Sequence, residues 1–383
     1  MKKFLMSGLL AVGMLFAVTA CGEDTVPAAQ VPEAVIVEDA TPVTLPEVID
    51  VEEAEADEAG AIIPQMVTVT YHDAERNPHQ VSLMQMPTSV AIFDWSILDI
   101  LYTVGWEKTG IETLILPATA TLPTEVSWFE NQDFVIRGGT LHYVNWDVLD
   151  LVQPELVILG MRSFAHNAAG ETTSPEVRAE LRQQAEADNP NTAFIRLSHS
   201  SARSELLADT SHNVYVLQQI FPQIADELQA YLDRIVEDLN YIQTRVQASD
   251  MTAQFVMIWA DRMSLFLPEG RFHMIHDEFG FTPAVYEQPQ WAADQHGFDS
   301  RAEFLLSADP DIIFLLDRTD MVSPTGGVGV QNFMADSIIQ NTSAYQNGHI
   351  YVLEGNAWYT VTGGFSAIDT KIANIMAFVN TLE

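Results

Sequence analysis

The chain has 383 residues, 48% of them hydrophobic, with 17 basic residues against 53 acidic ones and a formal net charge of −36. That length can hold two domains with real cores, and the composition is globular rather than disordered. The acidic balance excludes nucleic acid as a partner, because phosphates need a basic surface. The single cysteine, Cys21, excludes an intrachain disulfide. Lysine occurs only at 2, 3, 108 and 371, so nearly all positive charge is arginine. Such a surface is compatible with a salty habitat, where charge repulsion is screened, and equally with drift within a family.

In chain order, Met1–Lys3 is basic and Phe4–Val18 is apolar, too short for a comfortable membrane span. Val18-Thr19-Ala20-Cys21 follows, resembling a bacterial lipobox. Residues 1–21 therefore read as a lipoprotein signal peptide, with Cys21 as the lipidated N-terminus of an exported, membrane-tethered protein. Residues 22–64 are acidic and proline-bearing with no basic residue, which predicts an extended linker.

Residues 65–221 predict an N-terminal α/β lobe. Val67–Tyr71 alternates as a strand with Gln80–Met84 as its hairpin mate. Ser89–Phe93 is a buried strand, followed by a helix ending at Gly105. Further strands are expected at Phe134–Ile136, Pro154–Gly160 and Thr192–Leu197, and helices at Asn145–Val152, Glu176–Ala187 and Ser204–Ile220. Alternating β and α implies a parallel sheet.

Residues 222–248 form the connecting helix. From Pro222 to Gln247, apolar residues recur by threes and fours, from Ile224 through Leu228, Leu232, Ile235 and Leu239 to Val246. Its length is roughly 39 Å at about 1.5 Å per residue. Residues 249–383 predict a C-terminal lobe of the same style. Its strands are expected at Gln254–Trp259, Ser264–Leu267, Pro310–Asp317 and Ile350–Leu353, and its helices at Phe272–Phe279, Arg301–Ser307 and Ala367–Leu382. Gly326–Gly329 lacks the lysine and Ser/Thr of a phosphate loop and reads as a flexible loop.

One internal echo points to a site. Val148–Leu159 and Phe304–Leu315 share the order helix, proline, acid, apolar strand, and each strand is followed by an arginine, Arg162 and Arg318. Ligands of parallel sheets sit beyond the carboxyl ends of strands. Both lobes thus present an arginine toward a cleft between them.

These features together resemble the substrate-binding lipoproteins of ABC importers for iron(III)–siderophores, most nearly the catecholate branch. Gly139–Arg162 resembles the first-lobe segment that ends in a ligand-binding arginine. Gly270–Phe281 resembles a stretch whose arginine, here Arg271, lines the pocket, and Asp317-Arg318 resembles the end of the second-lobe strand. Trp358-Tyr359 resembles a pair whose phenol reaches the iron, and His296 stands where the branch supplies a histidine ligand. Met161 and Phe164-Ala165-His166 depart from the pattern, so first-lobe contacts differ. The resemblance implies two Rossmann-like lobes with parallel sheets joined by one long helix, and no enzymatic activity. It implies Arg162, Arg271 and Arg318 as binders of an anionic ferric siderophore, and His296 and Tyr359 as metal ligands. It also implies Asp147 and Glu278 as acids docking on the ABC permease. The resemblance further implies no intrinsic cofactor, with Fe(III) arriving as the siderophore complex to a monomer held outside the cytoplasm. The physics agrees: guanidinium forks suit planar polyanions, and phenolate and imidazole are accepted iron donors. The residues leave open haem, cobalamin or another metal chelate in the same fold. They also leave open an exported metal-dependent hydrolase using His273 and His276.

Overall fold

The β-alternation at the start of the lobe is realised as a hairpin: β1 (Met66–His72) pairs antiparallel with β2 (Pro78–Met84), Met66 opposite Met84. The computed structural model describes residues 62–72, 77–119, 121–197, 206–259, 262–287, 298–319 and 328–382, all within one compact unit, Val37–Glu383. Cys21, His296 and nearly all of the acidic linker lie outside the described residues.

The first sheet holds β3 (Ser89–Phe93), β4 (Thr113–Leu116), β5 (Val135–Arg137), β6 (Leu156–Leu159) and β7 (Ala193–Arg196). The crossover helices are α1 (Trp95–Thr103), α2 (Trp146–Val152) and α3 (Pro175–Asp188). The order is β5-β4-β3-β6-β7, parallel throughout. β6 is buried along its whole length, as an unbroken Leu-Val-Ile-Leu run requires of a sheet covered on both faces. β4 is a strand of four residues without alternation, and sequence periodicity did not reveal it. The chain order reverses between β3 and β6, which makes the loops after those strands the walls of a crevice.

Helix α4 (Leu206–Ile220) leads to a 3-10 turn at Pro222–Ile224 and then to the rod α5 (Ala225–Gln247). The rod thus starts three residues later than its apolar stripe predicts, because the N–H of Ala225 bonds back to Pro222 O in a tighter turn. Its buried face is the expected one, Leu228, Leu232, Ile235, Leu239, Ile242 and Val246.

The second sheet holds β8 (Thr252–Trp259), β9 (Arg262–Phe266), β10 (Thr282–Pro283), β11 (Phe298–Ser300), β12 (Ile312–Asp317) and β13 (Ile350–Val352). Helix α6 (Ala302–Ala308) precedes β12. The order is β11-β9-β8-β12-β13, with β10 beside β8. Strands β8, β12 and β13 are parallel, as expected, whereas β9 and β11 join antiparallel. The β8–β9 link is too short for the crossover that parallel strands need. Gly329 opens a short helix, Gly329–Ala335, rather than continuing a loop; Gly326 and Gly327 lie outside the described residues.

The sequence echo is structural. Gln153 and Asp309 both end their helices in the left-handed region, φ 49° and 42°, and donate to Leu149 O and Leu305 O. The acid after each proline then ties the neighbouring strand. Glu155 accepts from the backbone and hydroxyl of Thr88 and from Ser89 N–H. Asp311 accepts from the backbone and hydroxyl of Thr252. One local device thus sets the strand pairs β3–β6 and β8–β12 in register.

The closing helix, Phe365–Val379, begins at Gly364 with no side-chain cap of its own. Asp99 of α1 supplies the cap, accepting from Ser366 N–H at 2.9 Å, Ala367 N–H at 3.3 Å and the Ser366 hydroxyl at 2.5 Å. A Cβ at Gly364 would collide with that carboxylate. Rod and closing helix are joined in turn: the Tyr231 ring stacks on Phe365 at 4.3 Å, and Arg234 pairs with Asp369 at 2.7 Å. Burial pushes Asp99 up to about 6. The folded state therefore keeps the Asp99 proton between about pH 4 and 6, where the unfolded chain has lost it. Stability from this group is present below that window and falls as pH rises through it. Asp99→Asn is expected to abolish that slope while keeping one acceptor. Asp99→Ala is expected to cost about 1–3 kcal/mol by leaving the helix N–H groups unpaired. Thermal melts on either side of the window check both; equal slopes in wild type and Asp99→Asn would contradict the assignment.

Candidate functional site

Each sheet places an arginine just past its central crevice. In the first lobe β6 runs into Gly160-Met161-Arg162. A Cβ at Gly160 would lie 2.7 Å from both Phe93 O and an Asp94 carboxylate oxygen, so only glycine lets β6 end this close to β3. Asp94 is spent on α1, accepting from Ser96 and Ile97 N–H. In the second lobe β12 ends in Asp317-Arg318, at the constant spacing from Arg162 that relates the two echo units.

The third arginine and the tyrosine come from irregular backbone. Arg271 opens the tight turn around His273–Ile275. Tyr359 sits in a five-residue π-type turn, Asn356–Thr360. Trp358 anchors that turn: it is fully buried, and its indole N–H donates to Asn374 Oδ1 at 2.9 Å. Tyr359, the next residue, remains only half-buried.

All three guanidinium groups meet at Tyr359. Arg162 and Arg271 both donate to its main-chain oxygen, at 3.3 and 2.7 Å. Arg271 lies 3.8 Å over the Tyr359 ring, and Arg318 5.3 Å from the same ring and 4.2 Å over Trp259. Trp259 ends β8 as Trp95 follows β3, so an aromatic flanks the crevice in each lobe. Among the described residues none of the three arginines forms an ion pair, and Arg318 Nε is buried without a partner. Burial pulls Arg271 down to about 10; the Tyr359 phenol offsets part of this, and Arg162 and Arg318 push it further down. Unneutralised positive charge of this kind calls for an anion.

Beside the cluster a cleft of about 670 Å³ opens between the lobes, lined by Trp95, Leu122 and Leu141 on one side and Asp317, Glu354 and Thr360 on the other. Arg162, Arg271, Arg318 and Tyr359 are not themselves among its lining residues; Asp317, next to Arg318 in the chain, and Thr360, next to Tyr359, are.

The structure thus brings together four of the expected residues, Arg162, Arg271, Arg318 and Tyr359. Asp147 is exposed at the start of α2. Glu278 is not a surface acid: it is 6% exposed and accepts from Leu207 N–H at 3.4 Å. In place of the expected helix Phe272–Phe279 there is a 3-10 turn at His273–Ile275 followed by further hydrogen-bonded turns, Glu278 N–H bonding to Met274 O at 3.2 Å; there Glu278 is buried while Asp277 is 65% exposed. His273 bonds Asp277 at 2.7 Å, and His276 bonds Phe281 O at 2.9 Å. Burial pushes His276 down to about 4. Among the described residues no three His, Cys, Asp or Glu side chains are placed to hold a metal, so the pair has no third ligand there.

Two α/β lobes, a helical rod between them and a cationic crevice at their facing strand ends define a solute-binding protein. The chain belongs to the periplasmic binding protein family, whose profile matches residues 90–357. It is 23% identical over 313 residues to the petrobactin-binding protein YclQ of Bacillus subtilis, covering 81% of this chain and 87% of that one. It is 26% identical over 304 residues to the ferric-anguibactin-binding protein FatB of Vibrio anguillarum, covering 79% and 85%. The crystal structure of the catecholate-siderophore-binding protein VctP of Vibrio cholerae matches with a TM-score of 0.66 at 21% identity, covering 81% of this chain and all of that one.

Proposed function

We propose that this protein captures a ferric siderophore of catecholate type in the interlobe cleft and delivers it to an ABC permease for iron uptake. The observation that carries the reading is the meeting of three guanidiniums, from both lobes, with no carboxylate partner among the described residues. A ferric catecholate is anionic, planar-faced and aromatic, and so matches guanidinium forks stacked on Tyr359 and Trp259. The ligands named for YclQ, FatB and VctP support the same class of cargo. No enzymatic step is needed. Asp147 is the exposed acid available for the permease.

Quenching of tryptophan fluorescence by ferric bis- and tris-catecholates tests the reading, with haem and cobalamin as competitors. Saturable binding of the ferric complexes, unaffected by the competitors, is expected. Binding of haem or cobalamin alone would replace the cargo.

Cys21 is proposed as the lipid attachment site. Cys21→Ala is expected to release the chain from membranes into the soluble fraction; full retention in the membrane fraction would refute the anchor. Among the described residues no helix is long and apolar enough to cross a membrane.

A further inference from the structure

We infer that Lys371 is a positioning residue for the cargo site: its buried ammonium clamps the Trp358–Tyr359 turn and adds a fourth positive charge behind the three arginines. The inference rests on the cargo being anionic, as proposed above. Lys371 stands on the apolar stripe of the closing helix, between Ile368 and Ile375, where a hydrophobic residue is the ordinary choice. It is completely buried. Its Nζ donates to Thr362 O, just beyond the turn that carries Tyr359, and lies 5.8 Å from the Trp358 ring. One helical turn on, Asn374 accepts from Trp358 Nε1 and from Glu354 N–H. Two side chains of one helix thus hold the two ends of the Tyr359 turn.

The charges facing Lys371 come from every element around it: Glu278 beyond the His273–Ile275 turn, Asp99 of α1, Glu125 of the 3-10 segment Thr124–Asn131, and Arg271. No carboxylate among the described residues ion-pairs with it. Asp99 is committed to capping, and one oxygen each of Glu125 and Glu278 is buried without a partner. A buried cation with so little direct compensation costs stability relative to an apolar side chain. Burial lowers Lys371 to about 7, which the carboxylates partly offset and Arg271 reinforces. An anion arriving at the arginines favours the ammonium form. Cargo binding should therefore take up a proton near neutrality, and affinity should fall as pH rises through that range.

The test uses the full chain with lysines labelled at the ε-carbon, of which there are four. Lys371→Met assigns the resonance. It is expected to titrate near neutrality and to move to higher pH on addition of a ferric tris-catecholate. Lys371→Met should melt no lower than wild type, yet bind the ferric complex about tenfold more weakly, the worth of one complementary charge at moderate range. Its affinity should lose the pH slope. Lys371→Gln keeps a donor for Thr362 O without the charge, so it should keep the wild-type near-ultraviolet circular dichroism but lose the slope. Wild-type affinity and slope in both variants would overturn the inference. If the wild-type chain binds no ferric complex, the cargo reading falls and the clamp is judged on the free protein. A changed near-ultraviolet spectrum in Lys371→Met alone would then uphold it, and superimposable spectra would overturn it.

Discussion

Alanine at Arg271 is expected to weaken binding of a ferric tris-catecholate by about 10- to 100-fold, since a charge-assisted hydrogen bond contributes roughly 1.5–3 kcal/mol. Arg162→Ala and Arg318→Ala should each fall in the same range. Arg271 should sit at the upper end, because it lies 3.8 Å over Tyr359 and makes the shorter of the two bonds to its main-chain oxygen, 2.7 Å. The same substitutions should not destabilise the free protein. The three guanidiniums repel one another and lack ion-pair partners among the described residues, so removing one relieves repulsion at the expense of function. Binding titrations beside cargo-free thermal melts check both halves. Unchanged affinity in all three variants would remove the cluster from the binding site. A large drop in melting temperature would make the arginines structural instead. Arg271→Lys should recover little of the lost affinity, because a point charge does not replace a planar fork stacked on a ring.

Much of this site was legible because it is built twice. The echo units carry their arginines at one spacing, and the rule that ligands sit beyond parallel strands needs only the order helix, proline, acid, strand. The rod was legible for the same kind of reason: Leu228, Leu232, Ile235 and Leu239 repeat a period that only one buried helical face explains. What escaped is what lacks a period. The Asn356–Thr360 turn is five residues long, and its shape is set by Trp358 bonding to Asn374 in another element. Glu278 was misplaced because its burial is set by another element, the start of α4, where Leu207 N–H donates to it, and local sequence carries no sign of that neighbour. Trp259 carries a signal that could have been used, an aromatic at the end of the first strand of a lobe, as Trp95 follows β3. The late start of the rod was hidden because proline suits a 3-10 turn as well as the first turn of an α-helix.

Under the proposed function, the same turn presents a phenol to the iron of the cargo. Tyr359→Phe is expected to cut affinity strongly for a ferric bis-catecholate and weakly for a tris-catecholate. The reason is coordination number: six donors from the cargo leave iron no vacancy, and four leave two. A phenolate is a hard oxygen donor suited to Fe³⁺, and at Tyr359 its charge would be compensated by the guanidiniums around it. Arg162 and Arg271 bond to the main-chain oxygen of Tyr359, and Arg271 stacks on its ring, so phenylalanine keeps those contacts while removing the phenol oxygen and its interaction with Arg271. His296, expected from the sequence as the second donor, lies outside the described residues, and His296→Ala is the companion variant. Both variants should follow the same pattern, and Tyr359→Phe should also shift the charge-transfer band of the bound bis-catecholate. Affinity titrations and visible spectra of the two variants with the two ferric complexes decide the matter. Equal losses for both ligands, with an unmoved band, would make Tyr359 a wall of the pocket against which the arginines are arrayed, with the iron held by its siderophore alone.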